Sequence, residues 1–122
     1  MIYEFCAENV TLLEKAMQAG ARRIELCDNL EVGGTTPSYG VTKAAVELAS
    51  NYDTTIMTMI RPRGGDFVYN DLEISIMLED IRLTAQAGSQ GVVFGALTAD
   101  KKIILKQGGP AILTLLSILL LK

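Results

Sequence analysis

Two cysteines in a chain without histidine are the first residues to weigh as chemistry. Cys6 and Cys27 each end a Glu-apolar-Cys triplet, Glu4-Phe5-Cys6 and Glu25-Leu26-Cys27. If these triplets close two neighbouring parallel strands in that register, the cysteine backbones lie about 5 Å apart. Alternation then puts Glu4, Cys6, Glu25 and Cys27 on one face. Paired thiolates favour soft ions such as Cu(I) or Zn(II). Met57 and Met59 are spaced to lend thioethers from a third strand. The competing reading is two thiols packed in an interior, where free cysteine is common, with the methionines as core filler. The thiols lack CxxC spacing, and both readings stay open.

A second candidate is the run Arg61-Pro62-Arg63-Gly64-Gly65. Pro62 biases Arg61 toward extended backbone. Gly64 and Gly65 let backbone N–H groups approach a ligand closely, and two guanidiniums suit an anionic small molecule. The alternative is a polar strand-to-helix turn whose arginines pair with nearby carboxylates. Glu8, Glu25 and Asp28 join Glu4 near the same strand ends, where with Arg61 and Arg63 they form a polar mouth. Two such carboxylates do acid–base work only if burial separates their pKa values. Neutralisation by the arginines is the simpler reading.

Parallel strands must position these groups. The pattern predicts strands over residues 1–6, 23–27, 54–60 and 91–96. Between them fall three helices: one capped by Asn9 and ended by Gly20, one starting near Ser38, and one starting near Asn70. Asn70 and Glu73 have capping-box spacing. Residues 28–38 read as a polar, glycine-rich loop without an element of its own. Gln18-Ala19-Gly20 and Gln86-Ala87-Gly88 precede strands two and four at the same offset, a faint internal repeat. Repeating strand–helix units imply an α/β fold with a parallel sheet and right-handed crossovers. The candidate residues then sit at the carboxyl ends of the strands, where such folds bind ligands.

The 122 residues suit one domain, and 49% hydrophobic with 20% charged residues is a globular composition. A net charge of −3 with no basic run argues against nucleic acid. The start, Met1-Ile2-Tyr3-Glu4, lacks the basic and apolar regions of a signal peptide, which predicts a cytosolic setting with reduced thiols. The apolar stretch 111–121 is too short to span a bilayer, so no membrane partner is expected.

Several stretches, in order, resemble the CutC copper homeostasis proteins. They are Glu4-Phe5-Cys6-Ala7-Glu8-Asn9; Arg23-Ile24-Glu25-Leu26-Cys27-Asp28-Asn29-Leu30; Val32-Gly33-Gly34-Thr35-Thr36-Pro37-Ser38-Tyr39-Gly40; and Met59-Ile60-Arg61-Pro62-Arg63-Gly64-Gly65-Asp66-Phe67-Val68-Tyr69 with Glu79-Asp80-Ile81. The resemblance covers roughly residues 1–100. It implies a TIM-barrel (β/α)8 fold, a cytoplasmic location and copper handling, with Cu(I) held by the thiols matching Cys6 and Cys27.

A full barrel needs about 250 residues, and here about four βα units are visible, a half barrel. Residues 101–122 depart from the family pattern and read as an atypical apolar tail, consistent with a frameshift or truncation near 101–106. The family's later histidine-containing motif is absent. Two readings of the half barrel follow: an inactive truncated fragment, or copies that associate as a homo-oligomer through open sheet edges.

Overall fold

The computed structural model describes residues 1–100 of the chain. Alternation in the strands sets the layers. Ile24, Leu26, Ile56 and Thr58 point to one face and are fully buried there. Helices pack over that face, with Leu13, Met17, Ala45 and Ala49 completing the core. The opposite face carries the sulfur atoms and carboxylates.

The elements run β1 (Glu4–Glu8), α1 (Leu13–Gln18), β2 (Arg23–Cys27), α2 (Tyr39–Ala49), β3 (Thr55–Met59), α3 (Asp71–Gln86) and β4 (Gly91–Val93). All neighbouring strands are parallel, in the order β1-β2-β3-β4. Sequential order with a helix after each of the first three strands is the arrangement of one half of a (β/α)8 barrel. The apolar tail lies outside the described residues.

The termini follow local chemistry. Ser38 caps α2 by accepting from the Val41 N–H at 3.1 Å. Asn70 and Glu73 close a reciprocal capping box on α3. Gly20 and Gly88, the ends of the repeated Gln-Ala-Gly, both take positive φ just past a helix, the left-handed turn that L side chains resist.

Three expectations are corrected. Asn9 does not cap α1: its Oδ1 accepts from the backbone N–H and hydroxyl of Thr11, at 2.9 and 2.7 Å. That local turn occupies the side chain, and the helix begins only at Leu13. Residues 28–38 hold a short 3-10 helix at Leu30–Val32 and an antiparallel bridge between Asp28 and Thr35. β1 is displaced from residues 1–6 and runs on to Glu8, which changes its register. Cys6 pairs with Glu25, and Cys27 with Glu8. The cysteine-to-cysteine register would set Glu4 against Glu25, two like charges directly opposite. The observed register sets Glu4 against Arg23, with which it forms an ion pair, and brings Ala7 beside Leu26 in the core.

Candidate functional site

The face away from the helices is built in cross-strand rows. Glu4, Arg23 and Thr55 form the first; Cys6, Glu25, Met57 and Gly91 the second. Glu8 pairs with Cys27, and Met59 with Val93, two residues further along each strand. Because Leu26 pairs with Thr58, Cys27 and Met59 are side by side.

A shift of two residues preserves the face, so the cysteines still meet, diagonally. Their Sγ atoms are 3.7 Å apart. Cys6 is exposed, whereas Cys27 is buried and its Sγ donates to the Ala7 carbonyl at 3.3 Å. Burial pushes the Cys27 thiol up to about 12, with the Cys6 sulfur and the Glu25 and Glu8 carboxylates adding to the rise. Burial also raises the Cys6 thiol, and Glu25 and Glu4 add to it. Glu25 is itself held above the usual carboxylate range, first by burial and then by Glu4. At neutral pH the thiols therefore rest protonated.

Gly34 closes this sulfur cluster from the β2–α2 loop. It takes φ +94°, and a Cβ there would fall 2.6 Å from Met59 Sδ and 3.4 Å from Cys27 Cβ. The loop backbone thus lies directly against both side chains, an approach only glycine permits. Among the described residues no group of three or more His, Cys, Asp or Glu side chains is placed to hold an ion. The sulfur donors on this face are the two cysteines, with Met57 in the row of Cys6 and Met59 beside Cys27.

Arg61 follows β3 and is 8% exposed. Its Nη1 donates to the carbonyls of Val32 and Gly34 at 2.7 and 3.0 Å, and its Nη2 donates to Gly65 at 2.8 Å. The guanidinium stacks on the Phe67 ring, 4.8 Å from its centroid. Thr36 ties the same junction: it accepts from the Arg61 N–H at 2.8 Å and its own N–H donates to the Arg61 carbonyl at 3.0 Å. Arg61 is a pin between two loops. It pairs with none of Glu4, Glu8, Glu25 or Asp28, contrary to the polar-mouth expectation.

Arg63 is likewise engaged within its own loop. It pairs with Glu73 and Asp66, donates to the carbonyls of Gly64, Asp66 and Val68, and stacks on Tyr69. The Arg63 hydrogen bond holds the Glu73 carboxyl below the usual range, aided by the Asn70 N–H. Gly64 packs against Val32, and Gly65 takes φ +88°. Glu8 accepts from the Leu30 N–H at 2.6 Å, and Asp28 from the Asn29 N–H at 2.9 Å. These two carboxylates brace the loop.

Beside the two loops lies a cleft of about 650 Å³, lined in part by Thr35, Thr36, Ser38, Arg61, Arg63 and Asp80. Sequence reasoning missed Gly34, Thr36, Phe67 and Glu73 as members of this assembly. Glu73 was legible as a cap but not as the partner of Arg63, and nothing in the spacing joins Phe67 to Arg61.

Comparison with known proteins agrees with this geometry. The model of the CutC family matches residues 1–114. A CutC family protein of Streptococcus pyogenes serotype M6 is 56% identical over 103 residues, 84% of this chain and 49% of its own length. The human copper homeostasis protein cutC homolog is 47% identical over 102 residues, 84% of this chain and 36% of its own. The crystal structure of a CutC protein from Streptococcus agalactiae superposes with a TM-score of 0.81 at 50% identity, covering 95% of this chain and 54% of that one. The chain thus spans about half or less of the length of these relatives. On its motifs, its sheet and these matches, the chain belongs to the CutC family.

Proposed function

We propose that this chain contributes a soft-metal site to copper homeostasis, taking Cu(I) on Cys6 and Cys27 with the Met59 thioether alongside. The observation that carries the reading is the 3.7 Å separation of the two Sγ atoms. Three sulfur donors at about 2.3 Å around one ion stand about 4 Å apart, so the cysteine pair can grip an ion with little movement. Thiolate and thioether donors select Cu(I) over harder ions. Carriage of Cu(I) as cargo also suits a site with one exposed thiol, through which an ion can enter and leave. Binding must displace both thiol protons, so uptake releases protons. The copper homeostasis name of the human relative agrees with the reading. Anaerobic Cu(I) titration followed by thiolate-to-copper absorption tests it. The wild type develops the band to one equivalent, and Met59→Leu weakens binding about tenfold. Absence of the band in the folded wild type removes the proposal.

A second reading draws on the cleft beside the β2–α2 and β3–α3 loops. Its hydroxyls, the start of α2 and the two arginines suit an anionic small molecule. Both guanidiniums are already bonded to the protein, so this reading places the anion on the α2 N-terminus and hydroxyls. Inorganic phosphate raising the melting temperature supports it, and an unchanged melting temperature removes it.

A further inference from the structure

Cys6 and Cys27 differ in a way that metal binding alone does not use. Cys6 is exposed on β1, which is the end strand of the sheet and has β2 as its one strand neighbour among the described residues. Cys27 is buried on β2, with its Sγ held on the Ala7 carbonyl. The two sulfurs are in contact at 3.7 Å. A disulfide needs them at about 2.05 Å, and the approach requires movement of the diagonal pair. Among the described residues β1 is paired on one side and can supply that movement, where β2 is held from both sides.

We propose that Cys6 and Cys27 form a reversible dithiol–disulfide couple, with Cys6 as the attacking thiol and Cys27 as the resolving one, and with low-molecular-weight disulfides as the oxidant class. In the first step the Cys6 thiol loses its proton, and its sulfur attacks one sulfur of the small disulfide RSSR. The S–S bond of RSSR breaks, and the departing RS⁻ takes up a proton to become RSH. In the second step the Cys27 thiol loses its proton and its sulfur attacks Cys6 Sγ. The bond between Cys6 and SR breaks, and a second RSH leaves. Two electrons pass from the protein dithiol to the small disulfide. Burial assigns the order: a dissolved disulfide reaches Cys6 but not Cys27, while the intermediate on Cys6 forms beside Cys27.

The oxidised pair has no thiolate for a soft metal. The couple would therefore gate copper uptake by thiol redox state, a consequence that rests on the Cu(I) reading above. The couple itself does not. The test accordingly uses the metal-free full chain with oxidised glutathione, read by intact mass under native conditions.

The expected product of the wild type is two hydrogen masses lighter, free of glutathione and restored by dithiol reductant. Cys27→Ser stops at a glutathione adduct on Cys6, and Cys6→Ser gains an adduct at least about tenfold more slowly. Circular dichroism verifies that both variants are folded. A wild type that accumulates the glutathione adduct without closing overturns the proposal. So does a folded Cys6→Ser chain whose Cys27 reacts as fast as Cys6 does in Cys27→Ser. Either result leaves Cu(I) binding to be judged by its own titration.

Discussion

Cys6 Sγ lies 3.7 Å from Cys27 Sγ although neither residue faces the other in the strand ladder. Cys6 pairs with Glu25 and Cys27 with Glu8, so the sulfurs meet across a diagonal. The apolar register Phe5–Ile24 and Ala7–Leu26 holds that offset, and the Glu4–Arg23 ion pair accompanies it. Replacing Glu4 with Gln removes an ion pair at the entry of β1 whose Glu4 end is exposed and whose Arg23 end is half-buried. The expected stability loss is small, about 0.5 kcal/mol by urea unfolding, with the sulfur contact retained because the apolar register Phe5–Ile24 and Ala7–Leu26 is unchanged.

Arg61 holds the β2–α2 loop against the β3–α3 loop through three carbonyls and an aromatic ring. Lysine has neither the fork that reaches Val32, Gly34 and Gly65 together nor the plane that stacks on Phe67. Arg61→Lys is expected to cost about 3 kcal/mol in urea unfolding, since bonds to a charged, buried donor are lost. A loss under about 0.5 kcal/mol, the scale of an ordinary surface change, would mean that the pin is not structural.

Gly34 has two reasons to be glycine, its φ of +94° and its approach to Met59. Gly34→Ala is expected to destabilise by about 1–2 kcal/mol, the scale of strain at a positive φ. Shortening Met59 to Ala in the same chain frees the space that the new methyl would occupy. A thermodynamic cycle should therefore give a favourable coupling between the two changes. Additive effects would separate the loop from the sulfur cluster.

The pH dependence of the second loop follows from Glu73. Its folded pKa lies below the ordinary carboxylate value because Arg63 and the Asn70 N–H favour the charged form. Its contribution is therefore complete above the unfolded value and is lost as pH falls through the folded one. Glu73→Gln should flatten the fall in melting temperature on the acid side of that window. An identical acid limb in wild type and variant would contradict the assignment.

The strand–helix repeat was legible because core alternation and end glycines are local. Ile24 and Leu26 announce a strand face, and Gly20 and Gly88 announce helix ends. The α3 capping box was legible for the same reason. Register was not: residues Glu4-Phe5-Cys6 and Glu25-Leu26-Cys27 look matched in the sequence, and the offset comes from packing Ala7 beside Leu26 in the core together with pairing Glu4 to Arg23. The grouping of Cys6 and Cys27 survived because a two-residue slip keeps the face. The role of Arg61 was hidden because its partners are carbonyls and a ring, and backbone acceptors leave no mark on composition. Asn9 misled because a turn and a helix cap ask for the same side chain.

The proposed Cu(I) site rests on Cys6 and Cys27 acting together. Its most direct test is an anaerobic competition titration of Cu(I) between the chain and a chromogenic Cu(I) chelator, for the wild type and for Cys6→Ser with Cys27→Ser. The wild type is expected to withdraw one Cu(I) from the chelator, and the folded double variant none at the same concentrations. Equal withdrawal by both chains would contradict it.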